Sequence, residues 1–119
     1  MPDVVVISGD TAGVGRAVAR RFARRGAKVA ILARERDELR SAAVEVVTLG
    51  ASAALGIPCD VEDAAQLDAA TRRIEQELGP IDLWIDTAVQ KRPVNYRFAL
   101  AAAAIGMLAL IVIARRALR

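Results

Sequence analysis

Residues 4–26 read VVVISGDTAGVGRAVARRFARRG, and the fold turns on how this stretch is read. Residues 4–7 are a β-branched run, the composition of a strand buried on both faces. The run ends in Ser8, after which Gly9, Gly13 and Gly15 space a loop as G-x-x-x-G-x-G. Val14, Ala17, Val18 and Phe22 then recur at helical intervals, while Arg16, Arg20, Arg24 and Arg25 fall mostly elsewhere around the helix. Gly26 is placed to stop it. One glycine lets the chain turn sharply, another lets backbone approach an anion, and a third lets the helix pack close to its strand. The N–H groups and positive dipole end of the helix would face that anion. Strand, glycine loop and helix in this order predict a phosphate cradle.

The same alternation continues outward. KVAILA at 28–33 predicts a second buried strand, and residues 35–49 carry Leu39, Ala42, Ala43, Val46 and Val47 at helical spacing before Gly50. ASAALGIPCD at 51–60 is a weaker third strand, interrupted by Gly56 and Pro58. A helix is expected over about 62–78, with Ala64, Leu67, Ala70, Ile74 and Leu78 on one face. Gly79 and Pro80 end it, and IDLWI at 81–85 is a fourth strand. Strands alternating with helices through short connections predict an α/β fold with a parallel sheet. Right-handed crossovers favour the strand order 3-2-1-4, with ligand bound where the order reverses, beyond the carboxyl ends of the strands.

Composition narrows the chemistry. The chain has 119 residues, room for one domain, with 17 Lys and Arg against 14 Asp and Glu. That modest excess, with only 3 % aromatic residues, argues against a nucleic-acid partner. The absence of histidine removes His-based triads and most zinc sites, so no metal site is expected. Cys59 is the single cysteine, so no intrachain disulfide forms; it reads as a small buried hydrophobe. Trp84 reads as core or sheet-edge packing. The arginines of the first helix, together with Asp37, Glu38, Glu45, Glu62, Asp63, Asp68, Glu75 and Glu77, read as surface and helix-end charges.

Four stretches carry a resemblance: ISGDTAGVGRAVA, LAR after the second strand, CDVED after the third, and GPIDLWIDTAV at the fourth. In this order and spacing, over residues 4–89, the chain resembles the short-chain dehydrogenase/reductase family. The resemblance implies a Rossmann-like doubly wound sheet and an oxidoreductase passing hydride between NADP(H) and an alcohol or carbonyl. It implies that Gly9, Thr11, Gly13, Val14 and Gly15 cradle the phosphates, that Asp60 and Val61 contact the adenine, and that Ala88 lies near a ribose. Where an NAD site wants an acid to hold the ribose 2′-hydroxyl, this chain has Ala33 and Arg34. A guanidinium can pair with a 2′-phosphate, so NADP is favoured and NAD is less so. The chain also departs from the family. Asp10 replaces a small loop residue, and Asp86, Thr87 and Val89 stand where the family has two asparagines and a glycine.

The family's proton transfer needs a serine and a Tyr-x-x-x-Lys pair. The single tyrosine here is Tyr96, with Leu100 four positions on, and no lysine follows Lys91. Catalytic residues are therefore expected to be none, and the chain reads as a cofactor-binding fragment, its middle deleted near 87–92. The alternatives are a membrane-tethered dinucleotide-binding or oligomerisation module, a non-functional remnant, or an enzyme completed by a partner chain. Residues 1–89 are expected to form the dinucleotide domain and 90–97 a linker. FALAAAAIGMLALIVIA at 98–114 is apolar all round and has the length of a short membrane span. It predicts one transmembrane helix in the lipid bilayer, with 115–119 a basic tail and the dinucleotide domain cytoplasmic. An uncovered fourth strand would expose Ile81, Leu83, Trp84 and Ile85 and invite self-association.

Overall fold

A computed structural model describes residues 3–9, 13–87 and 111–113 of the chain. Its elements run β1 (Val4–Ser8), α1 (Gly13–Arg24), β2 (Lys28–Ala33), α2 (Arg36–Leu49), β3 (Ala53–Pro58), α3 (Ala64–Glu77), β4 (Leu83–Asp86) and β5 (Ile111–Ile113). The sheet order is β3-β2-β1-β4-β5. The first four strands are parallel and follow the expected 3-2-1-4 order, with β1 flanked by β2 and β4. Val6 lies opposite Ala30 on one side and Trp84 on the other.

The period-2 geometry of a strand sends successive side chains to opposite faces. Val5, Ile7, Val29 and Ile31 join the core beneath α1 and α2, with Leu39, Ala42 and Val46. Val4, Val6, Ala30 and Leu32 join the opposite core with Ala70 and Ile74 of α3. Both faces are covered, which is why β1 and β2 read as continuous apolar runs. Pro58, which cannot donate to a ladder, sits at the end of β3, the edge strand of the sheet.

The buried face of α1 differs from the expected one. Gly15, Ala19 and Ala23 are its buried residues, Val18 and Phe22 are partly buried, and Val14 is half-exposed. A helix lying close on a sheet needs small residues at the contact, so size rather than apolar character selects the face. On α2, Val47 is likewise exposed while Leu39, Ala42 and Val46 go inside.

The amino ends of the strands are fastened to one another. Asp82 Oδ2 accepts from the N–H groups of Asp3 (2.7 Å) and Val4 (3.1 Å). Lys28 N–H donates to Asp3 O at 2.8 Å, and Lys28 Nζ donates to Leu78 O at 3.2 Å.

The chain beyond β4 corrects two expectations. Residues 111–113, placed by sequence within a transmembrane helix, form β5, antiparallel to β4, with Trp84 opposite Ile113 and Asp86 opposite Ile111. Three consecutive β-branched residues are stiff at χ1 and fit a pleated strand better than a helix. The edge of β4 expected to lie open is therefore taken by β5 over Trp84, Ile85 and Asp86. Among the described residues no helix is long and apolar enough to cross a membrane. The rest of 98–114, the linker 90–97 and the tail 115–119 lie outside the described residues, apart from that strand.

Candidate functional site

The carboxyl ends of β1, β2, β3 and β4 converge on one edge of the molecule, and β1 is the strand at which the order reverses. Leaving β1, Gly9 takes φ 112° and its N–H donates to Leu32 O at 3.1 Å, closing the loop onto β2. Gly13 opens α1 with φ 62°, a left-handed conformation that favours glycine. Among the described residues, a Cβ on Gly13 would meet no atom within 4 Å. Val14 is half-exposed beside it and Gly15 is buried in the helix–sheet contact. Thr11, expected in the cradle, and Asp10 lie outside the described residues.

On the far side of β1, a network holds this end of the sheet together. Ser8 is 1 % exposed, and its hydroxyl accepts from Trp84 Nε1 at 2.9 Å. Ser8 O accepts from the N–H of Thr87 at 2.8 Å and from its hydroxyl at 3.1 Å. Thr87, which stands at one of the expected asparagine positions, thus ties β4 to β1 through both backbone and side chain. The sequence places Ser8 at the crevice but reads Trp84 as packing and Thr87 as a departure, so their bonds to Ser8 are additions from the structure. Ala88 lies outside the described residues.

Between β2 and α3 lies a charged corner. Arg34, just past β2, is 70 % exposed along its side chain. Its Nη2 is 3.3 Å from Asp60 Oδ1 and 3.9 Å from Glu62 Oε2. Asp60 Oδ1 also accepts from Glu62 N–H at 3.0 Å, and Asp60 N–H donates to Gln66 Oε1 at 2.9 Å. Asp63 caps α3, its Oδ1 accepting from the N–H groups of Ala65 and Gln66. Val61 is partly buried against the α3-side core. Cys59 is buried and its N–H donates to Ala33 O at 2.8 Å. Burial first, and then the charges of Asp60 and Asp63, push its thiol pKa up, so it stays protonated and unreactive.

The structure thus brings Gly9, Gly13, Val14 and Gly15 to the end of β1, and Arg34, Asp60 and Val61 to the ends of β2 and β3. Four parallel strands with helices on both faces and a glycine loop feeding a helix at the reversal point define a Rossmann-like nucleotide-binding domain. A family profile described as short chain dehydrogenase matches residues 3–105. The chain belongs to the short-chain dehydrogenase family.

Its relatives are oxidoreductases. The chain is 37 % identical over 90 residues to 2,3-dihydro-2,3-dihydroxybenzoate dehydrogenase of Bacillus subtilis (strain 168), covering 76 % of this chain and 34 % of that protein. L-sorbose reductase from Gluconobacter frateurii, solved with NADPH and L-sorbose, superposes with a TM-score of 0.62 at 32 % identity. That match covers 67 % of this chain and 30 % of the reductase. An NAD+-bound xylitol dehydrogenase superposes with a TM-score of 0.64 at 28 % identity, over 67 % of this chain and 30 % of its own. The chain therefore spans about a third of the length of the relatives it matches.

Proposed function

We propose that the chain binds a nicotinamide dinucleotide across the carboxyl ends of β1, β2 and β3, with NADP(H) preferred over NAD(H). The observation that carries this reading is Gly13, at positive φ where α1 begins and with no described atom within 4 Å of where a Cβ would stand, following Gly9, also at positive φ, at the end of β1. A pyrophosphate fits there because the first N–H groups of a helix lack intrahelical acceptors and its dipole favours an anion. In this reading the loop residues Gly9, Thr11, Gly13, Val14 and Gly15 hold the phosphates, Asp60 and Val61 border the adenine, and Ala88 borders a ribose. Arg34 supplies the charge for a 2′-phosphate. The solved relatives hold NADPH in one case and NAD+ in the other, which supports the cofactor class.

When bound, the nicotinamide supplies the hydride chemistry of an alcohol or carbonyl oxidoreductase. The chain's own residues bind and orient the dinucleotide. Tyr96 has Leu100 rather than lysine four positions on, so this sequence offers no Tyr-x-x-x-Lys pair to move the proton. Dinucleotide binding is the behaviour these 119 residues are proposed to supply.

Calorimetric titration of NADPH and NADH into the 119-residue chain tests the reading. Saturable binding, tighter for NADPH, is expected. No heat of binding from a chain shown by circular dichroism to be folded would mean that the glycine loop is architecture alone.

A further inference from the structure

We infer that Glu62 is a specificity-determining residue that competes with a 2′-phosphate for Arg34 and so limits how strongly the site prefers NADP(H). This rests on the dinucleotide reading above and goes beyond it, because the preference is then set by an ion pair rather than by Arg34 alone.

The geometry puts two carboxylates beside Arg34. Arg34 Nη2 lies between Asp60 Oδ1 (3.3 Å) and Glu62 Oε2 (3.9 Å). Glu62 is fixed at its backbone. Its N–H donates to Asp60 Oδ1, forming a tight turn that turns residue 62 back toward β2. That turn is closed by the Asp63 N–H, which donates to Asp60 O at 3.0 Å, and tied to α3 by the Asp60 N–H, which donates to Gln66 Oε1 at 2.9 Å. Both carboxylates therefore sit on a short, hydrogen-bonded connection opposite the end of β2.

The two carboxylates have separable roles. Asp60 is the nearer partner of Arg34 and also borders the adenine in the proposed site, so replacing it would disturb both cofactors, whereas Glu62 bears on the site through the Arg34 pairing. Glu62 acts on what differs between them. A cofactor with a free 2′-hydroxyl leaves Arg34 with Glu62. A 2′-phosphate, carrying between one and two negative charges near neutral pH, must draw the guanidinium away from Glu62 or lie close to that carboxylate. Either way the cost falls on the phosphorylated cofactor alone. Both partners are largely exposed, with Arg34 at 70 % and Glu62 at 53 %, so solvent keeps the effect small.

The test uses two probes without nicotinamide, adenosine 2′,5′-bisphosphate and adenosine 5′-phosphate, titrated by calorimetry into the full chain. Glu62→Gln is expected to tighten the bisphosphate by roughly two- to fivefold, the range typical of an exposed charge pair, and to leave the monophosphate unchanged. In an Arg34→Gln background the gain from Glu62→Gln should disappear. An equal gain for both probes, no gain for either, or a gain that persists without Arg34 would overturn the competition while leaving the dinucleotide site standing. Failure of both probes to bind the folded wild-type chain would overturn the dinucleotide reading, and this inference with it.

Discussion

At Ser8 three parts of the chain meet. Its hydroxyl accepts from Trp84 Nε1 and its carbonyl from both donors of Thr87, joining residues 76 and 79 positions apart. Trp84 was legible as an apolar residue of the fourth strand, and its half-buried place against the α3-side core agrees with that. Its indole N–H bond was not legible, because a contact over such a separation exists only once β1 and β4 are paired. Replacing Trp84 with Phe leaves the buried Ser8 hydroxyl without that donor, and an unsatisfied buried group costs about 1–3 kcal/mol. Urea unfolding of Trp84→Phe, Ser8→Ala and the double variant checks this. The double variant should be less destabilised than the sum of the two singles; strict additivity would show that the bond contributes nothing. The glycines were the readable part of the site. Gly9 and Gly13 take positive φ values that favour glycine, whereas the charges around Arg34 could not be paired from sequence, since Asp60 and Glu62 lie beyond a different strand.

Between elements, the contact of α1 with α2 shows what helical spacing conceals. Glu45 reads as a surface charge, yet its Oε1 accepts from Arg16 Nε at 2.7 Å and Arg20 Nε at 2.9 Å, fastening the two helices side by side. Hydrogen bonds from Arg20 and Arg16 lower the Glu45 pKa from an ordinary 4.5 to about 2. A carboxyl whose pKa is depressed on folding adds stability above its unfolded value, and that contribution fades as pH falls through the folded one. Glu45→Gln should therefore melt roughly 2–4 °C below the wild type at pH 7, an exposed-pair effect on a domain of this size. The gap should close between about pH 4.5 and pH 2. A gap that stays constant across that range in thermal melts would exclude the ion pair as its source. The strands were easier to anticipate than this contact. Residues 28–33 form β2 as expected, because a continuous β-branched and aliphatic run has no amphipathic alternative. The buried stripe of Gly15, Ala19 and Ala23 escaped notice for the opposite reason: small residues carry little hydrophobic signal even where close packing depends on them.

For the whole molecule, the least legible element is β5. A long apolar run is compatible with a membrane helix, a buried helix or a strand, and the triplet Ile111, Val112 and Ile113 was the signal available for the last of these. With β5 in place, the backbone of β4 is paired on both sides, by β1 and by β5. Hydrogen exchange can read this directly. Removing residues 98–119 should speed exchange at β4 amides while β1 and β2 keep their protection. Unchanged β4 protection would show that β5 contributes no cover. The central place of β1 has a consequence for how the protein is made. Val4 is anchored to Asp82, 78 positions later, and β1 stays unpaired on one edge until β4 arrives. A chain leaving the ribosome in order must carry β1 half-covered until Leu83 has been made, and non-local pairing of this kind is slow. During synthesis the open apolar edge of β1 is therefore a place for a chaperone to hold until β4 pairs with it.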